Sequence, residues 1–429
     1  MRAVASRSTE CRWVAAATAP LLLVSPAKSV FGSDFLGVDM TVLAYLLALG
    51  VAFLSGQADG WRLGSVHPST LAPAVPFFFI ACVSAVATSS LDKSPGTDKL
   101  FFLLFQCAVL LLVALLTVRS RHGLRCLLGV YGVAGVLLAG YVVVIEGPSQ
   151  AGDRAGAGSE IFAPSRVAGV ALLLLVLAAS RGQLSWLVAS PLAAVCGLAV
   201  VWSASRAAAL ATLVTLLLLL LLVRSRSRVL IFLVGAVVLW LISLSDSGYV
   251  QDRLGRVEDP VRLAMIDRSI DVGLGNPLLG IGYGSGEWVV GFRTYQYPHN
   301  IFAEAFAEMG LLGLMSLLYL FAILLRRCWR RRESGVYLAS GLLTVFAIVN
   351  FALSSQTSDR YLWLLILPAL LLGQLEVAER RTHMIRGNSG RQPNPLDRTC
   401  LQRSWLPPDG FSARRSGIQR TSLGGNKFD

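Results

Sequence analysis

The chain has 429 residues and a net charge of +13, from 38 Lys+Arg against 25 Asp+Glu. Hydrophobic residues make up 55% of it and charged ones only 15%, against roughly 25% charged in an ordinary soluble domain, which excludes a soluble enzyme. The basic residues stand in short clusters between apolar runs rather than along one face, so the charge speaks for membrane orientation and against nucleic-acid binding.

In chain order, apolar runs fall at 13–31, 37–54, 71–90, 99–118, 124–145, 162–180, 183–203, 207–223, 229–246, 301–325, 335–355 and 361–377. A helix of roughly 17–25 residues crosses a hydrocarbon core of about 30 Å. The expected fold is therefore an all-α, polytopic membrane bundle of about twelve transmembrane helices. Residues 1–160 form its N-terminal helices, and residues 161–377 a second membrane region that includes a long loop at 247–298. Residues 378–429, rich in Pro, Gly, Ser and Arg without helical periodicity, read as a disordered basic tail.

An even number of spans puts both termini on one side. If that side is the cytoplasm, Arg2, Arg7 and Arg12, then Arg119, Arg121 and Arg125, then Arg224, Arg226 and Arg228, then Arg326 to Arg332, and finally Arg380 and Arg381 all lie inside. The positive-inside rule is met at each cluster, and the loop Ser247–Pro298 lies outside. The first run has no small-x-small cleavage site near Ser25–Ser29 and is expected to be an uncleaved span. All seven cysteines fall in spans or inside segments, where they are expected to be packing residues or reduced thiols.

Ionisable residues beside apolar runs cost roughly 2.5–3.5 kcal/mol each at the bilayer centre, so those present need a reason. Arg206 opens the eighth span with no acid nearby in sequence; it is either an interfacial anchor or a phosphate clamp. Arg154 and Arg166, with Asp153, flank the sixth span and leave the same two choices. The segment His299–Gly313 opens the tenth span: helical spacing puts His299, Ala303, Phe306, Gly310 and Gly313 on one stripe and Asn300, Glu304 and Glu308 on a neighbouring polar one. A helix with both stripes does not face lipid. His299 is the one outer histidine of four, so no His/Cys metal set is expected there; it is a water-capped helix-start residue, a general base or a phosphate donor. In the long loop, Asp259-Pro260 starts and Gly273 stops a short amphipathic helix with Leu263, Ile266 and Ile270 on one side and Arg262 on another. A glycine-rich stretch, Gly273 to Gly286, follows without the strand-helix context of a dinucleotide site or the Gly-Lys-Ser/Thr of a P-loop.

Taken together, about residues 160–325 resemble the O-antigen ligase and polymerase superfamily. His299, Asn300, Gly310 and Gly313 meet the family's ligase signature of His, then Asn, Ser or Gln, nine residues, Gly, two residues and Gly, Thr or Tyr, and Arg206 with Leu210 its Arg-x-x-x-Leu signature. Asn276–Gly282 is similar to the family's loop end, whereas Pro164-Ser165 stands where the family often has Pro-Asn. The resemblance implies a GT-C-like membrane glycosyltransferase without metal or cofactor, acting on the outer face of the bacterial inner membrane. Its donor would be an undecaprenyl-diphosphate-linked glycan and its acceptor a sugar hydroxyl on lipid A-core or another glycan chain. It implies catalytic roles for His299 and Arg206, donor or substrate contacts from Arg154, Arg253, Arg256, Arg262, Asn300 and Glu308, and structural roles for Leu210, Gly310 and Gly313. Membrane lipids are the other expected partners. A polymerase of the same superfamily and a lipid-linked oligosaccharide flippase are the alternative readings.

Overall fold

The computed structural model describes residues 2–31, 34–35, 38–58, 70–88, 94–146, 163–203, 205–223, 260–285, 298–354 and 357–389. Apart from a ladder of two-residue strands pairing Asp34–Phe35 with Val38–Asp39, the described regular structure is helical. The helices are α1 (Arg2–Phe31), α2 (Met40–Ala58), α3 (Val75–Ala87), α4 (Ser94–Thr117), α5 (Arg121–Tyr141, extended by a π-turn at Val142–Glu146), α6 (Ala163–Ser180), α7 (Trp186–Trp202), α8 (Arg206–Leu222), α9 (Pro260–Gly275), α10 (Ile301–Arg330), α11 (Gly335–Ser354) and α12 (Arg360–Ser389). The chain is a polytopic helical membrane protein. Among the described residues, six segments are long and apolar enough to cross a membrane, namely Met40–Gln57, Asp98–Thr117, Arg121–Ile145, Ile301–Arg330, Gly335–Ser354 and Arg360–Val377. Val75–Ala87, Pro164–Ser180, Trp186–Trp202 and Arg206–Leu222 are shorter apolar helices; the expected span at 229–246 lies outside the described residues. One compact unit covers Met1–Val377 and a second Ala378–Asp429.

Apolar helices in lipid gain nothing from hiding hydrophobic surface from one another, so close packing through small residues and polar links sets their arrangement. Gly135 of α5 sits against the Val167 backbone and Ala171 of α6, and Gly169 of α6 against Thr212 of α8 and Phe346 of α11. These links also give the helices direction. Thr212 lies level with Phe346, while Leu218 and Leu222 share a small cavity with Leu338, Gly341 and Leu342, so α8 and α11 run antiparallel. The start of α8 and the end of α11 therefore lie at one end of the bundle.

The same end collects the starts of four other helices. Arg166 of α6 reaches Ser354 of α11 and Asp359 ahead of α12, Lys99 of α4 reaches Glu304 and Glu308 of α10, and Ser84 at the close of α3 donates to the carbonyls of Leu279 and Glu308. At the opposite end Glu10 of α1 accepts from the Arg119 and Ser120 amides ahead of α5, Arg181 donates to Glu333 O, and Arg327 to Ala369 O and Leu370 O.

One expectation is corrected here. Cys11 and Cys126 form a disulfide between α1 and α5, not two separate thiols. They are 115 residues apart, and only the packing of α1 on α5, which no local spacing encodes, makes them neighbours. Cys82, Cys107, Cys196 and Cys328 remain thiols inside helices, as packing residues would be.

Candidate active site at the head of α10

Asn300 starts α10 by capping it: its Oδ1 accepts from the amides of Phe302 at 2.9 Å and Ala303 at 3.1 Å, satisfying two of the four donors that any helix start leaves unpaired. The resemblance gave Asn300 a substrate contact, and the geometry gives its side-chain oxygen to the cap. His299 just before it has φ 55°, a left-handed conformation uncommon for a side chain with a Cβ. Such a conformation costs on the order of 1–2 kcal/mol and persists only where the surroundings fix it. Here the residue is 8% exposed and its Nδ1 stands 3.5 Å from the Ser354 carbonyl at the end of α11. With hydrogen on Nδ1, Nε2 is the nitrogen that takes or gives a proton in a reaction.

The last turn of α11 gathers further positive charge. Arg166 is 5% exposed, pairs with Asp359 at 2.7 Å, donates to Ser354 Oγ at 3.3 Å and lies 4.8 Å over the Phe351 ring. Arg262 of α9 donates to the Leu353 carbonyl at 3.2 Å. A helix C-terminus carries about half a negative charge, which accounts for three basic side chains at one place. Arg166 is thus a buried, paired residue, not the interfacial anchor that was one of its two readings. Its partner lies 193 residues away, out of reach of any local pattern.

Below His299 the polar stripe of α10 turns inward. Glu304 and Glu308 are 1% and 2% exposed, and both bind Lys99 of α4, Glu308 at 2.7 Å. The other Glu304 oxygen accepts from the Thr357 amide at 2.6 Å, and the other Glu308 oxygen from the Gly284 amide at 3.0 Å. Lys99 also lies 5.2 Å over the ring of Tyr283, whose hydroxyl meets Thr357 Oγ1 at 3.2 Å. One ammonium therefore ties α4, α10, the glycine-rich loop and the α11–α12 turn together. Lys99 was read only as the edge of a span; two buried carboxylates on α10 demanded a cation, and that was the signal available in the sequence.

Gly310 has φ 64° and ψ −162°, so α10 breaks there. The glycine-rich loop fills the break: Ile281 N and Gly282 N donate to the carbonyls of Ala307 and Glu308, and Leu311 N donates to Pro277 O at 2.7 Å. A Cβ at Gly310 would overlap the Leu278 carbonyl, and one at Gly280 (φ 66°) the backbone of Glu308. That close approach of two backbones is what the Asn276–Gly282 stretch and Gly310 provide. Helix α9 packs on the same region through Met265, Ser269 and Gly273, with Gly273 against Phe306, and leaves Leu263, Ile270 and Leu274 exposed.

Arg206 is the first residue of α8, half-buried, one residue after Ser205, whose side chain accepts from Ala208 N at 3.4 Å. It lies at the His299 end of the bundle because α8 and α11 are antiparallel. Leu210, one turn on, is 44% exposed, and Gly313 is buried against Met309. Arg154, Arg253 and Arg256 lie outside the described residues.

A search among curated proteins returns no match. The family model described as O-antigen ligase matches residues 191–318, a stretch that includes α7, α8, α9, the glycine-rich loop and the head of α10 with His299. Over these residues the chain is similar to the O-antigen ligase family.

Proposed function

We propose that the protein transfers a glycan from an undecaprenyl diphosphate carrier to a sugar hydroxyl on lipid A-core or another glycan chain, at the outer face of the inner membrane. The acceptor oxygen attacks the anomeric carbon, the bond from that carbon to the diphosphate oxygen breaks, and the acceptor proton passes to His299 Nε2. The carrier diphosphate leaves with its negative charge. Arg206 stabilises that charge, helped by Arg262 and, from the segments outside the described residues, Arg154, Arg253 and Arg256. Because guanidinium groups supply the charge, this reaction needs neither divalent metal nor nucleotide sugar. Asn300 fixes the backbone that aims His299. Glu308, with both oxygens engaged by Lys99 and Gly284, is a positioning residue. The outward orientation is supported by the arginine clusters at Arg119–Arg125 and Arg326–Arg332, which fall at the end opposite His299.

The observation that carries this reading is His299 held in a left-handed conformation against the last turn of α11, beside Arg166 and Arg262 and at the same end as Arg206. A base next to fixed cations is what glycan transfer to a hydroxyl with a diphosphate leaving group requires. The test is transfer by purified protein in detergent, from an undecaprenyl-diphosphate-linked glycan to lipid A-core, without ATP or an ion gradient. Product formed by the wild type and lost in His299→Ala is expected. No product from a folded wild type with either lipid A-core or a second glycan chain as acceptor would overturn the reading.

A further inference from the structure

The end of the bundle away from His299 carries a second cluster of chemistry-bearing side chains that the transfer reaction does not use. His122 and Cys126 are four residues apart on α5, hence on one face of that helix, and Cys11 of α1 faces them. One ligand atom from each of the three lies within 4.8 Å of the others, and Cys11 Sγ stands 3.4 Å from His122 Nε2. In a tetrahedral zinc site, with Zn–S about 2.3 Å and Zn–N about 2.0–2.1 Å, a thiolate sulfur and an imidazole nitrogen are about 3.5 Å apart. The Cys11–His122 separation is that of two ligands on one ion. The two sulfurs are joined in the disulfide, but on the side where the arginine clusters place them thiols are kept reduced.

We propose that Cys11, His122 and Cys126, in their dithiol form, hold one zinc ion that ties α1 to α5. Two thiolates and an imidazole are the donor set of a borderline-soft cation, and they select zinc over magnesium or calcium, which take oxygen ligands. The neighbouring carboxylate is not a fourth ligand. Glu10 Oε1 accepts from the amides of Arg119 at 2.9 Å and Ser120 at 3.0 Å, and its Oε2 from Ser120 Oγ at 2.6 Å, so both oxygens are spent on the start of α5. The fourth position faces a cavity of about 720 Å³ that His122 and Cys126 line together with Arg125 and Arg181. A site with three protein ligands and one open position exchanges its metal more readily than a closed four-ligand site. It differs from the His299 site in place and in chemistry, and the proposal stands whatever the transfer assay gives.

The test uses the full chain, freed of any affinity tag, reduced and then returned to reductant-free, oxygen-free buffer with one equivalent of zinc chloride. Bound zinc is measured by elemental analysis, and maleimide labelling of Cys11 and Cys126 is read peptide by peptide. One zinc per chain is expected, with Cys11 and Cys126 labelled only after a chelator removes it, and with the zinc lost in the double substitution Cys11→Ser/Cys126→Ser. His122→Ala should weaken zinc binding at least tenfold while both thiols persist, which separates loss of a ligand from loss of fold. Labelling that needs fresh reductant instead of chelator would mean that the pair is a disulfide, and immediate labelling with no bound zinc would mean two plain thiols. Either result overturns the proposal.

Discussion

The two ends of the helix bundle use charge in different ways. At the His299 end the charged groups are buried and joined: Lys99 is 10% exposed and Glu304 1%, and Arg166 pairs with Asp359 at 2.7 Å. At the opposite end Arg331 and Glu376 stand 3.9 Å apart with 40% and 23% of their side chains exposed, and Arg181 donates to the backbone carbonyls of Arg332 and Glu333. An exposed pair is worth about 0–1 kcal/mol, whereas removing one partner of a buried pair costs about 3–5 kcal/mol because the other is stranded. A sequence lists both kinds of arginine alike. On the function proposed above, one end orients the protein in the membrane and the other holds the site.

The largest effect expected from breaking this contrast is on turnover. His299→Ala should lower glycan transfer by about 10²–10⁴-fold, the usual contribution of a general base, with membrane insertion unchanged. The rate of the wild type should rise with pH as the imidazole loses its proton, and that limb should be absent in His299→Gln; a rate that falls with pH instead would make the imidazolium a diphosphate ligand. The next effect is on stability. Lys99→Met strands two buried carboxylates and should cost about 3–5 kcal/mol in detergent unfolding, while Lys99→Met/Glu304→Gln, which removes one charge of each sign, should recover part of it. Equal losses in the single and double variants would show that Lys99 acts through packing alone.

Arg206 comes third. An arginine–phosphate contact is worth about 1.5–3 kcal/mol, so Arg206→Ala should lose on the order of 10–100-fold in kcat/KM, with Arg206→Lys in between because it keeps the charge and loses the fork. Full activity in both, at normal expression, would return Arg206 to the role of an interfacial anchor. The smallest effect belongs to the other end: Arg181→Ala should change stability by less than about 1 kcal/mol and transfer not at all. A loss there as large as that in Arg206→Ala would erase the distinction between the ends.

The helices were legible in the sequence because length and apolar content decide them. The expected helix from Asp259 to Gly273 is α9 at Pro260–Gly275, and Glu304 and Glu308 of the polar stripe are buried inside the bundle. What was not legible depends on contacts between distant segments. Gly310 read as a small residue on a continuous helix, whereas it is where α10 opens to receive the backbone of Pro277 to Gly282. Lys99, Asp359 and the Cys11–Cys126 pair were equally invisible, since each acquires its partner only when helices more than a hundred residues apart in sequence pack together.

The central claim, that the His299 end is the reacting end and faces outward, is tested most directly by accessibility in intact cells. Asn276 is exposed in the loop that docks on α10, and Glu333 is exposed at the far end between α10 and α11. Against the wild-type labelling background, Asn276→Cys should react with a membrane-impermeant maleimide in intact spheroplasts, and Glu333→Cys only after the membrane is permeabilised. The reverse pattern would put His299 and Arg206 on the cytoplasmic side and contradict the account.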